Sequence, residues 1–317
     1  MSYRLGVVMD PIDGINPAKD STLAMLLEAK ARGYSLHYME QGDIFVRDGV
    51  GYGNSRPLSV FDSLTCWFEF ADGGNNPQAL HEFDVILMRK DPSFDLEYIY
   101  TTYALELAEQ RGCLVVNKPQ SLRDVNEKFF ISRFPQCCTA TLITRDRQQI
   151  RNFLTEQGEI VVKPLDSMGG ESVFRLGVND PNKTVILDNI THHGKRTVMA
   201  QRFIEAISAG DKRILLVDGE PIPYALARIP AAGESRGNLA AGGSGKGVEL
   251  SERDRWICHQ VGAELRARGL LFVGLDVIGD FLTEINVTSP TCIRELDRLY
   301  GLNISGVLFD AIEARLA

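Results

Sequence analysis

The sequence predicts an α/β protein, with a doubly wound parallel sheet in its N-terminal third and an α+β region after it. Two observations predict this class. Short apolar runs alternate with helical patterns over residues 5–116, which is typical of a parallel sheet covered by helices. From about residue 121 the alternation gives way to strand pairs joined by short turns. The 317 residues, 44% of them hydrophobic, are enough for two domains or for one with a large insertion.

The first elements are a buried strand and a capped helix. Residues 5–9 form the strand, and Asp20 caps a helix that ends at Gly33. Leucines at helical spacing on one side of this helix predict that it packs on the sheet. Residues 36–39 form the next strand. The glycines of residues 49–74 predict an irregular excursion from the sheet.

The second half of the parallel sheet is a strand, a helix and a strand at residues 85–88, 96–111 and 114–116. Open parallel sheets bind ligands at the carboxyl ends of their strands. Arg89 follows one of these ends. It could therefore hold a substrate carboxylate, and the alternative is that it lies in a solvated, charged loop.

A lysine and a glycine loop in the middle of the chain indicate phosphate binding. Residues 121–124 resemble a capping box, which predicts a helix that carries Lys128. A strand at residues 160–162 ends in Lys163, and the loop that follows, up to residue 170, ends in adjacent glycines. Such a loop can wrap backbone N–H groups and an ammonium around phosphates. The alternative is an ordinary hairpin with a long loop.

An arginine-bearing hairpin follows, with Asp218–Gly219 as its two-residue turn. A turn of this length pairs Arg213 with Tyr224. It also places Asp211, Arg213 and Arg228 on one face of the hairpin. Two arginines on one face suit the clamping of an anion.

Regular elements connect these motifs. A strand at residues 197–200 leads into a hinge at Gln201 and Ile204, where backbone groups could meet an adenine edge. Helices at residues 251–268 and 305–316 complete the chain.

Residues 230–247 are rich in glycine and poor in apolar residues. The segment is too long for a routine connection, so it is either a lid or disordered. Arg236 lies within it, and a lid that closes over the site could deliver this guanidinium while excluding water.

The acidic hairpin of residues 273–287 is the candidate metal site. A bare two-residue turn would place Asp276 opposite Thr283, on the other face from Glu284 and Asn286. We predict a three-residue loop or a bulge that brings all three together. Two carboxylates and an amide oxygen suit Mg²⁺. The alternative is an edge hairpin whose polar residues face water. Without a metal, we expect the two carboxylates to repel and the pKa of one to rise.

Composition argues against several other classes. A formal net charge of -8 argues against a nucleic-acid-binding surface. No signal pattern precedes the first strand and no apolar run reaches membrane-spanning length, so we expect a cytoplasmic protein without nucleic-acid or membrane partners. The histidines and cysteines lack the spacings of a zinc site. No G-x-G-x-x-G follows the first strand, and residues 243–247 only imitate a P-loop.

Six strings of residues are more specific than any single motif. They are VMDP at 8–11, MRKDP at 88–92, VNKPQSLR at 116–123, RIP at 228–230, RGNLAAGG at 236–243 and TEINVTSPT at 283–291. With the lysines, the glycine loop and the acidic hairpin in order, the chain resembles the prokaryotic glutathione synthetase family of ATP-grasp ligases. The resemblance covers nearly the whole length. It implies a two-part ATP-grasp fold after the N-terminal domain of residues 1–122, with a lid subdomain at 123–204 and a C-terminal subdomain at 205–317.

The resemblance also implies an activity and its residues. ATP would drive the joining of γ-glutamylcysteine to glycine through an acyl phosphate, giving glutathione, ADP and phosphate. The implied ATP-binding residues are Lys128, Lys163, Ser167, Met168, Gly169, Gly170, Gln201, Ile204 and Asp211. The implied ligands of Mg²⁺, with Mn²⁺ as an alternative ion, are Asp276, Glu284 and Asn286. The implied substrate residues are Arg89, Arg213, Arg228, Arg236, Ser289 and Thr291, and Arg213, Arg228 and Arg236 would also meet the developing charge in catalysis.

Partners follow from the same resemblance. They are γ-glutamylcysteine, glycine and further copies of the chain, with a homotetramer favoured. Two other functions stay open at this point. One is an ATP-grasp ligase that joins another amino acid, and the other is a nucleotide-binding protein that keeps the fold without turnover. Intact Lys163, Asp276, Glu284 and Asn286 argue against the second.

Overall fold

The computed structural model describes residues 3–71, 76–231 and 244–317, which form three sheets with helices packed against them. Arg236 and most of the predicted lid lie outside the described residues. The helices of the described ranges include none that combines the length and hydrophobicity needed to cross a lipid bilayer.

The first sheet is parallel at its centre, as predicted. Its strands are β1 (Arg4–Val8), β2 (Ser35–Met39), β3 (Ile44–Arg47), β4 (Val50–Val60), β5 (Phe68–Phe70), β6 (Asn76–Ala79), β7 (Val85–Met88) and β8 (Leu114–Val116). The order β2-β1-β7-β8 is parallel throughout. Helices α1 (Ser21–Ala31) and α2 (Leu96–Glu109) form the connections. Asp20 caps α1, since Leu23 N donates to its carboxylate at 2.6 Å.

The predicted irregular excursion at residues 49–74 is wrong over residues 50–60, and residues 72–74 lie outside the described residues. Residues 50–60 form β4, which pairs antiparallel with β2, β3, β5 and β6. Its glycines serve close packing and not irregularity. A Cβ on Gly53 would lie 2.4 Å from Met39 Sδ, and a Cβ on Gly51 would lie 2.6 Å from the Ala104 carbonyl oxygen. Glycine in a strand therefore marks a close approach of neighbouring atoms here.

The capping box predicted at residues 121–124 is also wrong. Helix α3 (Pro119–Asp124) begins with proline at its first turn, so Ser121 lies inside the helix and caps nothing. Ser121 Oγ donates instead to Arg268 O at 2.5 Å. Lys128 lies beyond α3, at the start of a short 3₁₀ helix (Phe129–Arg133).

The second sheet is antiparallel, in the order β11-β10-β12-β9. Its strands are β9 (Thr141–Thr144), β10 (Glu159–Pro164), β11 (Phe174–Gly177) and β12 (Val198–Arg202). Helices α4 (Arg147–Gln157) and α5 (Lys183–Ile190) bury Leu154 and Leu187 against it. The sheet holds its own apolar core, which supports the strand that carries Lys163.

The third sheet is also antiparallel, in the order β15-β14-β13-β16-β17. Its strands are β13 (Asp211–Val217), β14 (Glu220–Ile229), β15 (Ser244–Glu249), β16 (Phe272–Ile278) and β17 (Phe281–Asn286). The accompanying helices are α6 (Glu252–Ala267), α7 (Ile293–Tyr300) and α8 (Ile304–Leu316). Strand β15 begins at Ser244, so the end of the predicted lid is a regular edge strand.

The arginine hairpin has the predicted face but not the predicted partners. Val217 pairs with Glu220 next to the turn, as expected. A bulge between Leu216 and Ile214 then adds two residues to β14, so Arg213 pairs with Leu226 instead of Tyr224. A shift of two residues preserves the alternation of side chains, which is why the predicted face survives.

Asn117 joins the first sheet to the third. Its Nδ2 donates to Phe272 O at 2.8 Å and to Val287 O at 2.7 Å, while its Oδ1 accepts from Phe272 N at 2.9 Å. Asn117 directly follows β8, and its buried bonds reach Phe272 in β16 and Val287, the residue after β17. The hairpin is therefore fixed against the parallel sheet.

Candidate functional site

A cleft of about 340 Å³ lies between the second and third sheets, with one wall completed by residues 288–292. Almost all the predicted site residues line it. They are Lys128, Lys163, Ser167, Met168, Gly169, Gly170, Gln201, Ile204, Asp211, Arg213, Arg228, Asp276, Glu284, Asn286, Ser289 and Thr291. Residues from several separate stretches of the sequence thus meet in one place.

Two buried lysines converge on Glu284 at one end of the cleft. Lys163 Nζ lies 3.2 Å and Lys128 Nζ lies 3.8 Å from Glu284 Oε1. Lys128 also donates to the Ser167 carbonyl at 2.5 Å, which ties it to the glycine loop. Burial favours the neutral form of Glu284, but the two ammonium groups outweigh it and lower the pKa of this carboxyl. This end of the cleft thus holds two lysine ammonium groups around the ionised carboxylate of Glu284.

The glycine loop needs glycine at two positions. Gly169 has φ +63° and Gly170 has φ +80°, both in the left-handed region that other residues rarely adopt. The loop lies directly above the lysine pair, since the Ser167 carbonyl accepts from Lys128. This geometry is consistent with a loop that folds over phosphates.

An apolar lobe adjoins the glycine loop. Gln201 donates through its side chain to Thr141 Oγ1 at 3.1 Å and lies on the cleft wall. Phe203, Ile204 and Ile278 line the same region. Flat apolar walls of this kind suit an aromatic ring.

Two arginines and two aspartates lie on the same face of the third sheet as Glu284 and line the same cleft. Arg213 binds Asp276 through Nε at 2.6 Å and through a terminal nitrogen at 3.0 Å. Arg228 lies 2.9 Å from the same carboxylate and also pairs with Asp211. Gly274 makes room for this arrangement, because a Cβ there would lie 2.9 Å from Arg213 Cδ. Burial would raise the pKa of Asp276, but the two guanidiniums hold it below its usual range.

Asp211 is the carboxylate whose pKa rises. Burial raises it to about 6, even though Arg228 opposes the shift. Its Oδ1 is buried and has no hydrogen-bond partner among the residues described. The prediction that Asp276 or Glu284 would show the raised pKa is wrong, because each of these carboxylates has its own pair of cations.

A bulge gives the acidic hairpin the predicted register. Ile278 pairs with Phe281 next to the turn, while Asp276 pairs with Glu284. Thr283 is the extra residue, and its hydroxyl donates to the Asp276 carbonyl at 3.0 Å. Asp276 therefore shares a face with Glu284 and Asn286, and the predicted bulge is confirmed.

The oxygen donors of this face fit a magnesium ion that also binds substrate. Mg²⁺ is usually held by one or two carboxylates, with phosphates and water completing its shell. In the ranges that the structure describes, no cluster of three or more His, Cys, Asp or Glu side chains could hold a metal alone. The ionised Glu284 and the neighbouring Asn286 are available as a pair, while Asp276 is engaged by arginines.

Arg89 lies behind the cleft wall, not on it. It is 6% exposed, and it donates to Thr22 Oγ1 at 3.1 Å and to the Pro290 carbonyl at 2.9 Å. Ser289 donates to the Arg89 carbonyl at 3.2 Å. Arg89 thus supports residues 288–292, and direct contact with a substrate carboxylate stays a prediction.

Several lining residues were not predicted. They are Asp91, Pro92, Glu127, Val161, Val173, Arg202, Phe203, Ile207, Ile278, Thr283, Thr288, Pro290 and Cys292. Most are apolar residues that resemble any core position in the sequence. The three charged ones lie close to predicted residues: Glu127 precedes Lys128, Arg202 follows Gln201, and Asp91 is two residues after Arg89. This proximity in sequence was the signal that could have found them.

Comparison with known proteins identifies the class of protein to which the chain belongs. The prokaryotic glutathione synthetase ATP-grasp domain matches residues 127–301, and the N-terminal domain of the same family matches residues 3–123. The fold is similar to that of D-cycloserine synthetase DcsG (TM-score 0.68, 14% identity, 99% of this chain and 100% of that one). It is also similar to the ATP-grasp ligase PsnB complexed with minimal precursor, Mg and ADP (TM-score 0.61, 16% identity, 98% of both chains). The chain is an ATP-grasp ligase.

Relatives with higher sequence identity identify one family within this class. Glutathione synthetase of Pseudomonas aeruginosa is 60% identical over 317 residues, covering 100% of this chain and 99% of that protein. Glutathione synthetase of Escherichia coli O157:H7 is 55% identical over 313 residues, covering 99% of both. The chain belongs to the prokaryotic glutathione synthetase family.

Proposed function

We propose that the cleft joins γ-glutamylcysteine to glycine, with cleavage of ATP to ADP and phosphate. Membership of the glutathione synthetase family makes the chain an ATP-dependent, peptide-forming ligase. The cysteinyl carboxylate of the dipeptide takes the γ-phosphoryl group and ADP leaves. The glycine amine then attacks the acyl phosphate, and phosphate leaves as the amide bond of glutathione forms.

The single observation that carries this assignment is that two clusters of cations flank two carboxylates of one hairpin. The buried Lys128 and Lys163 flank Glu284, and the buried Arg213 and Arg228 flank Asp276. Asp276 and Glu284 are opposite each other in the register. A phosphate donor at the first cluster and a carboxylate acceptor at the second would thus be neighbours. Holding the two reactants side by side supplies much of the catalysis in phosphoryl transfer.

The nucleotide would lie along the second sheet. Lys128 and Lys163 would hold its phosphates under the loop that ends in Gly169 and Gly170, and the apolar lobe near Ile204 would hold adenine. The unpartnered Oδ1 of Asp211 supports a role as acceptor for a ribose hydroxyl. Ser167, Met168 and Gln201 line this path and complete the proposed ATP-binding set.

Charge balance supports the use of Mg²⁺ with ATP, as the family's chemistry requires. Among the described residues the cleft is lined by five cationic side chains and five carboxylates, so a triphosphate would bring in negative charge with little left to neutralise it. We propose Glu284, Asn286 and Asp276 as the metal ligands, with Mn²⁺ as an alternative ion. When bound, the ion supplies neutralisation of the transferring phosphoryl group.

The arginines would hold the dipeptide. Arg213 and Arg228 present guanidinium groups that Asp276 orients, and orientation of this kind favours bidentate contact with a carboxylate. Ser289 and Thr291 lie on the adjoining wall and would contact the same substrate. Arg236 lies outside the described residues. We propose that it closes over the acyl phosphate, which water would otherwise hydrolyse.

Further parts of the proposal concern the whole molecule. We propose domains at residues 1–122, 123–204 and 205–317, a homotetrameric assembly and a cytoplasmic location. The family matches at residues 3–123 and 127–301 support the first of these boundaries.

Phosphate release with γ-glutamylcysteine and varied amine acceptors tests the function. We expect glycine to be the best acceptor, with glutathione identified by mass. Equal or better activity with alanine or glutamate would reject the named reaction and favour another ligase. No phosphate release with any acceptor would favour a nucleotide-binding protein without turnover.

A further inference from the structure

Glu127 occupies an unusual position between the two halves of the site. It directly precedes Lys128, and its segment runs beside β17, since Ile285 N donates to the Glu127 carbonyl at 2.9 Å. It also lines the cleft.

One oxygen of Glu127 accepts three hydrogen bonds. The donors are Val287 N at 2.9 Å, Thr288 N at 3.1 Å and Thr288 Oγ1 at 2.8 Å. Strand β17 ends at Asn286, so the two amides follow the last residue of the sheet. Val287 is fully buried and Thr288 is 6% exposed. Buried donors need an acceptor, and a carboxylate oxygen is a stronger acceptor than an amide oxygen.

These bonds fix the beginning of the wall at residues 288–292. Arg89 holds its middle through the Pro290 carbonyl at 2.9 Å. The same wall contains Ser289 and Thr291, the proposed dipeptide contacts. Glu127 therefore links the segment of a phosphate-binding lysine to the wall that the dipeptide would touch.

We propose that Glu127 is a positioning residue that sets the distance between the phosphate of ATP and the carboxylate of the dipeptide. The inference rests on the proposed function. Glu127 does not touch the reacting atoms. It acts by holding the wall at residues 288–292 relative to Lys128, and small misplacements of reacting groups cost large factors in rate.

The variants Glu127→Gln and Thr288→Val test the proposal. In Glu127→Gln the neutral amide oxygen keeps the shape but weakens all three bonds, so we expect kcat/KM for the dipeptide to fall at least about tenfold. The KM for ATP should change less than about threefold, because both lysines are retained. Thr288→Val removes a single bond and should cost about threefold. Both changes weaken the contact between Glu127 and Thr288. The fold-change of the double variant should therefore be smaller than the product of the two single fold-changes.

A matched control and a binding arm separate the possible outcomes. Glu159→Gln makes the same substitution at an exposed ion pair with Arg175, outside the cleft, and should leave all constants unchanged. Binding of γ-glutamylcysteine, measured by calorimetry with a non-hydrolysable ATP analogue, needs no turnover. Weaker binding in Glu127→Gln and Thr288→Val supports the proposal, even if the wild type fails to use glycine and the proposed function falls.

Three results would overturn the proposal that Glu127 is a positioning residue. One is normal dipeptide binding and turnover in both variants. The second is a lower melting temperature with unchanged constants, which indicates a purely structural role. The third is a wild type that does not bind the dipeptide. If Glu127→Gln does not fold, Thr288→Val decides the proposal alone.

Discussion

Replacing Glu284 by glutamine tests the centre of the proposed site. The change removes one charge and keeps the shape of the side chain. Lys163 and Lys128 then lose a carboxylate at 3.2 and 3.8 Å. At an effective dielectric constant of about 20, each of these pairs is worth roughly 4–5 kcal/mol before desolvation is subtracted. The two lysines would repel each other with less compensation, and the proposed Mg²⁺ would lose its one carboxylate that is not bound to arginine.

We expect kcat to fall at least about a hundredfold, or about 2.7 kcal/mol, the scale of one preorganised electrostatic partner. Phosphate release under saturating substrates measures this, and a melting curve confirms that the variant is folded. Glu159→Gln serves again as the matched control and should change kcat less than about twofold, because an exposed ion pair contributes little. A kcat within about threefold of the wild type in Glu284→Gln would refute the assignment of this carboxylate.

Three further predictions concern the rest of the cleft. Arg213→Lys cannot make the bidentate contact with Asp276, so the KM for γ-glutamylcysteine should rise at least about tenfold while ATP affinity is unchanged in calorimetry; a normal KM would contradict it. Arg236→Ala should slow synthesis with ATP binding mostly intact, and an equally large loss of ATP affinity would place Arg236 elsewhere. Deletion of Thr283 would leave a regular ladder in which Glu284 still falls opposite Asp276, so phosphate release should stay within about tenfold of the wild type. Thr283→Val should cost only about 1 kcal/mol of unfolding free energy, by denaturant titration. A folded deletion variant without phosphate release would show that the shared face alone is not sufficient.

The hairpins were predictable because strand geometry is local. Side chains alternate, so the polar pattern of residues 273–287 determines which side chains can share a face once a bulge is allowed. The arginine hairpin shows the same logic, since its face was right even where the partner of Arg213 was wrong. Caps and turns at Asp20 and Gly33 belong to the same local category.

Predictions from local sequence patterns failed where the role of a residue depends on atoms far away in the chain. Gly51 and Gly53 look like loop residues, but Ala104 and Met39 require them to be small. Ser121 looks like a helix cap, but it lies inside α3 and its hydroxyl donates to the distant Arg268 carbonyl. In both cases packing between distant segments decides the outcome.

The supporting residues of the site were hidden for the same reason. Glu127 meets Thr288 across 161 positions, and Arg89 meets Pro290 across 201. A single sequence gives no sign that such pairs are in contact. The residues that face ligands form motifs, whereas the residues that hold them in place do not.

The bulge at Thr283 compensates for one surplus residue between the turn and Glu284. At the present length a regular ladder would place Thr283 opposite Asp276 and turn Glu284 and Asn286 to the other face. A hairpin one residue shorter would need no bulge, because Glu284 would then fall opposite Asp276 in regular pairing. Anyone grafting this hairpin should therefore keep either the present length with its bulge or a length one residue shorter without it.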